Sequence, residues 1–141
     1  HLLCVPYFLG ILAETQLALG QVDAAEQRVI EARALVERRD EHWWEAELHR
    51  LEGEVVLAAA GDADRGDRAE VCFRRALEVA GRQGATALEL RAALSLSRLA
   101  NSPDAHERLG EVVGRFTEGH DTADLRAAQT QLSRIDPPTD D

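Results

Sequence analysis

Apolar residues return every third or fourth position along almost the whole chain. Val22, Ala25, Val29, Ala32 and Val36 form one such series, and Trp44, Leu48, Leu51, Val55 and Ala58 another. Ala69, Cys72 or Phe73, Ala76 and Ala80 continue it, followed by Ala105, Leu109, Val112 and Phe116, and by Leu125, Ala128, Leu132 and Ile135. This is the period of a helix with one buried face; no stretch alternates with the period of two that a half-buried strand requires.

Breaks in the pattern divide it into seven helices, roughly 5–19, 22–38, 42–60, 67–82, 85–100, 103–117 and 122–135. Gly20, Gly61 and Gly84 follow apolar runs, where a helix end calls for a left-handed residue. Asp23 with Glu26 and Asp67 with Glu70 read as capping pairs, and Ser102-Pro103 as a cap followed by proline in the first turn. Asp121 with Asp124 opens the last helix, and Asp136-Pro137-Pro138 closes it, leaving residues 136–141 as an acidic, disordered tail. Short loops make neighbouring helices antiparallel.

The helices repeat in pairs. Ala25, Val29 and Ala32 match Ala69, Phe73 and Ala76 at an offset of 44, and Ala13, Gly53 and Ala93 are spaced by 40. Small residues at such positions let helix backbones cross closely, and an aromatic ring fills the wedge between hairpins. This pattern resembles the tetratricopeptide repeat, whose usual period is about 34 residues. The fold it implies is all-α, a right-handed superhelix of three αα-hairpins (about 5–38, 42–82 and 85–117) with a capping helix at 122–135, so that 1–135 is one helical repeat domain.

The strings Trp43-Trp44-Glu45-Ala46-Glu47-Leu48-His49-Arg50-Leu51-Glu52-Gly53-Glu54, Cys72-Phe73-Arg74-Arg75-Ala76-Leu77 and Phe116 to Leu125 narrow the resemblance. They are similar to the C-terminal repeat region of bacterial multidomain proteins that carry an adenylate or guanylate cyclase, a signal-transduction ATPase or a LuxR-type DNA-binding domain. The similarity spans about residues 40–135; Glu52 and His120 stand where those proteins usually have a basic and an aromatic residue. It implies a regulatory, protein-binding role in the cytoplasm, with any cyclase or ATPase chemistry in other domains.

Composition agrees with a binding role. The chain has 141 residues and a net charge of −10, all its positive side chains are Arg, and it has no Met. The absence of Lys suggests a GC-rich bacterial genome, and that of Met a segment of a longer protein. Residues 1–60 carry 5 Arg against 11 acids, residues 61–101 carry 7 against 6, and residues 102–141 carry 4 against 9. Such an acidic balance disfavours nucleic acid, which demands a basic face. No apolar run is long enough for a membrane span, and the start lacks the basic region of a signal peptide. Cys4 and Cys72 read as small buried residues in a reducing compartment.

No phosphate-binding loop, nucleophile elbow or cysteine beside a base is present, so no catalytic residue, cofactor or metal is expected. His42, Glu45 and His49 fall on one helical face at ligand spacing, but a fourth ligand is not visible and a solvated face explains them. Asp62, Asp64 and Asp67 suggest a calcium loop until position twelve, which is Phe73 instead of Glu. Adjacent on a helix, Trp43 and Trp44 would point about 100° apart: Trp44 into the seam, Trp43 onto the preceding hairpin or an exposed contact surface.

The expected binding site is a groove lined by the first helix of each pair. Its residues off the apolar seam are Glu47, Arg50 and Glu54 on the third helix and Arg91 and Arg98 on the fifth. This mixed-charge surface suits a protein, a peptide or a neighbouring domain, although pairs such as Glu47–Arg50 also arise merely for solubility. Two alternatives stand beside it: a purely structural cap that self-associates through Leu2, Leu3, Val5 and Phe8, and a small-molecule or metal sensor.

Overall fold

The computed structural model describes residues 5–59, 61, 63–116 and 122–135, and they form seven helices with no strand among them. These are α1 (Val5–Ala18), α2 (Val22–Arg39), α3 (Glu45–Ala58), α4 (Arg65–Gln83), α5 (Thr86–Ala100), α6 (Pro103–Gly114) and α7 (Ala123–Ile135). The all-α class and the order of the elements agree with the hydrophobic period.

Each helix packs on its neighbours in sequence. The backbones of the odd-numbered helices also approach one another, α1 on α3, α3 on α5 and α5 on α7, whereas those of α2 and α4, and of α4 and α6, lie further apart among the described residues, the latter two bridged by Arg74 and Asp104 at 3.1 Å. The result is one continuous layer of odd helices and a row of more widely spaced even ones.

The three small residues spaced by 40 are all buried. The Phe73 ring of α4 lies directly on Gly53 of α3: a Cβ there would lie 2.5 Å from Cε1 of Phe73 and 2.9 Å from Cδ1. Ala13 packs with Ala25, Val29, Leu51 and Val55, and Ala93 with Ala69, Phe73 and Leu109. Gly10 has a similar use: a Cβ there would stand 2.8 Å from Nε1 of the Trp44 indole, so glycine admits the ring.

Several local expectations need correction. Asp23 and Asp67 are not caps: Ala25 N–H bonds to Gln21 and Arg68 N–H to Asp64, so the helices start earlier and both aspartates fall in first turns, where their charge suits the helix dipole. Helix α3 starts at Glu45, not at 42, because Glu45 N–H turns back to His42 in a tight bend. His42, Trp43 and Trp44 therefore precede the helix instead of riding on it. Trp44 is buried while Trp43 is half-exposed, its ring stacked on Tyr7 of α1 at 6.3 Å.

The third helix ends at Ala58 with an extended Ala59, so Gly61, at φ 93°, belongs to the turn beyond the helix end. Helix α6 ends at Gly114, not 117, as Arg115 and Phe116 tighten onto Val112 and Val113. Gly84 and Ser102 cap as expected; Asp40 and Asn101 add unforeseen left-handed helix ends. Asp121 lies outside the described residues; Thr122 accepts from Leu125 N–H at the start of α7. Cys72 is only partly buried, and that burial pushes its thiol up.

Candidate functional site

The odd helices share one charged network. On α3, Glu47, Arg50 and Glu54 follow one another at spacings of three and four, which places them on one side of the helix. Arg50 Nε lies 3.0 Å from both carboxylate oxygens of Glu47, and Nη2 donates to Glu14 of α1 at 3.0 Å. Its Nη1 stands 3.8 Å from Glu54, whose carboxylate accepts from Ser95 of α5 at 2.9 Å. Arg91 of α5 meets Glu14 at 2.5 Å, Glu47 at 3.2 Å and, through Nε, Asp124 of α7 at 3.7 Å. One connected set of ion pairs thus runs through α1, α3, α5 and α7.

Burial divides this set. Glu47 is 1% exposed and Arg50 8%, so neither is a groove side chain open to a ligand. A carboxylate so deep must be paired to stay charged, and Arg50 supplies the pair. Burial opposes the Arg50 charge, but the hydrogen bonds and charge of Glu47, with Glu14 and Glu54, outweigh it and raise the guanidinium pKa. The solvent-facing members are Glu14, Glu54, Asp124 and part of Arg91. Arg98 is exposed and takes no part in the network.

Of the five residues expected to line the groove, four therefore meet in one cluster and two of these are interior. Glu14, Ser95 and Asp124 were missed. Glu14 had a signal: it follows Ala13 as Glu54 follows Gly53, at the same offset of 40. A second buried acid was missed as well. Glu89 of α5 is enclosed, with Arg115 donating at 2.7 and 3.0 Å and Arg108 at 3.3 Å, which fastens α6 to α5.

On the other side of α3, a cavity of about 130 Å³ opens against α2. His42 Nδ1 lies 3.2 Å from Glu45 and His49 Nε2 3.6 Å from the other Glu45 oxygen, so the trio converges although His42 precedes the helix. No group that could hold a metal ion is found among the described residues. The two imidazoles are pushed in opposite directions. A hydrogen bond to Asp40 raises His42, whereas burial, followed by the charge of Arg33, lowers His49.

The His49 shift has a consequence for stability. Its folded pKa lies below the unfolded value near 6.5, so at acidic pH the unfolded chain binds the extra proton more readily. The His49 contribution is complete above that value and is lost as pH falls from it through the lower folded pKa. Wild type should lose more stability between pH 7 and pH 5 than His49→Leu in urea titrations; parallel curves would show that His49 is not held neutral.

No helix is long and apolar enough to cross a membrane, among the described residues. No family model, curated protein or solved structure matches this chain.

Proposed function

We propose that this chain is a tetratricopeptide-like module that binds a protein segment rich in basic side chains on its layer of odd helices. The observation that carries the reading is the network just described: four carboxylates, Glu14, Glu47, Glu54 and Asp124, meet two guanidiniums, those of Arg50 and Arg91. The interior pair neutralises itself, and the acids left at the surface give the face an excess of negative charge. A face of that sign steers and orients a cationic partner.

The repeat assignment is supported by the offsets of 40 and 44, by the buried small residues at 13, 53 and 93, and by odd helices whose backbones lie closer together than those of the even ones. A stack closer on one side than on the other curves, and in a superhelix of this kind the odd helices line its concave side. Within a larger bacterial signalling protein in the cytoplasm, the module would hold a partner or a neighbouring domain and leave catalysis elsewhere. A structural reading, in which the segment only caps a solenoid, is favoured by one specific fact, the burial of Glu47 and Arg50.

Peptide binding separates the two. Immobilised peptides of varied charge should bind only when they contain several Lys or Arg. That binding should weaken between low salt and about 0.5 M salt, where screening shortens to a few ångströms, and should fall in Glu54→Gln/Asp124→Asn. Equal retention of neutral and basic peptides, or no effect of the double substitution, would leave the structural role.

A further inference from the structure

Helix α1 bears an apolar stripe that no other described helix covers. Phe8 is 63% exposed and Ile11 45%, and Leu12 and Leu19 are exposed beside them. The offset of 40 that relates Ala13 to Gly53 relates Phe8 to Leu48, Ile11 to Leu51 and Thr15 to Val55. On α3 these equivalents are buried, with Leu48 at 2% and Leu51 at 1%. What covers them is the preceding hairpin: Leu51 and Val55 pack on Ala13, Ala25 and Val29, and Leu48 on Ala32 and Val36.

Residues of α1 turned into the stack, toward α2 and α3, behave differently. Pro6, Gly10 and Ala13 are buried, as are their equivalents Ala46, Arg50 and Gly53 on α3. The exposed set on α1 is thus the set that on α3 faces backwards. Leu12 falls at the position of Glu52, which pairs with Arg33 of the preceding hairpin. Between Val5 and Leu19 the only charge is Glu14, and it points into the network with Arg50 and Arg91.

We infer that the outward face of α1 is a stacking surface for one more αα-hairpin of this repeat, seated on α1 as α1 and α2 are seated on α3. Its second helix presents small and β-branched apolar residues at the spacing of Ala25, Val29, Ala32 and Val36. A second copy of the chain is a poorer occupant, because its own α2 stripe is already covered by its α3. The face differs from the acidic one proposed for peptides, so either assignment can fail without the other.

The test supplies the hairpin. Residues 5–44 are repeated directly ahead of Val5 of the full chain, which gives α1 the spacing to an upstream hairpin that α3 has. Phe8→Ser is then made at the original position in both proteins. In the original chain its melting temperature should shift by less than about 1 °C, as for other surface changes. In the extended chain the loss should be roughly 6–20 °C, as for a buried aromatic in a chain of that size.

Equal shifts in the two proteins would overturn the inference. So would an extended chain whose circular dichroism shows no added helix. A third result against it is an original chain that sediments as a dimer and becomes monomeric with Phe8→Glu, since the second copy would then be the occupant.

Discussion

Arg50→Ala should be among the most damaging single substitutions in this protein, costing about 3–5 kcal/mol in urea unfolding. It leaves the Glu47 carboxylate, 1% exposed, with Arg91 at 3.2 Å as its remaining cationic neighbour. It also removes the link from α3 to Glu14 of α1. Replacing both partners avoids the stranded charge. Glu47→Leu/Arg50→Met should therefore be much less damaging than Arg50→Ala, because apolar residues of similar volume often match or exceed a buried ion pair. A loss below about 1 kcal/mol for Arg50→Ala would class the pair with exposed salt bridges and remove the network as an organising feature.

The Gly53–Phe73 crossing gives the second large effect. Phe73 is completely buried, and Phe73→Ala should cost about 3–5 kcal/mol through lost transfer energy and a cavity. At Gly53 the sign of the change is the informative quantity. In an exposed helix interior, Gly→Ala stabilises by about 1 kcal/mol. Here the new methyl would sit 2.5 Å from the Phe73 ring, which has buried neighbours on all sides, so Gly53→Ala should destabilise by about 1–3 kcal/mol. Gly53→Leu should be worse. Gly53→Ala/Phe73→Leu should be less destabilised than the sum of its single changes, since contacting residues do not act additively. A stabilising Gly53→Ala would mean that α3 and α4 do not cross at this residue.

Much of this architecture is written in the order of residues. A period near 3.6, glycines after apolar runs and Ser102-Pro103 locate the seven helices. The recurrence of Ala13, Gly53 and Ala93 locates buried positions because only small side chains fit close crossings. The candidate site was half legible. Periodicity separates polar from apolar positions and sends Glu47, Arg50 and Arg91 to the side away from the apolar seam. It cannot tell that α1 and α5 close over that side, because a buried ion pair is written in the same letters as a solvated one.

Glu89 escaped for the same reason: its partners Arg108 and Arg115 lie 19 and 26 residues onward, beyond any helical spacing. The start of α3 was misplaced because Trp44 extends the apolar series by one step while its backbone lies outside the helix. Asp23 and Asp67 resemble caps in the sequence because an acid in the first turn and an acid at the cap suit the same dipole.

The central claim is that the odd-helix layer, with its surplus of surface carboxylates, is the binding face. Amide chemical-shift mapping with an Arg-rich peptide tests it most directly. Shifts concentrated around Glu14, Glu54, Arg91 and Asp124, and diminished in Glu54→Gln/Asp124→Asn, are the expected result. Shifts centred instead on the even helices, near Ile30 and Val71, or no shifts at millimolar peptide, would contradict it.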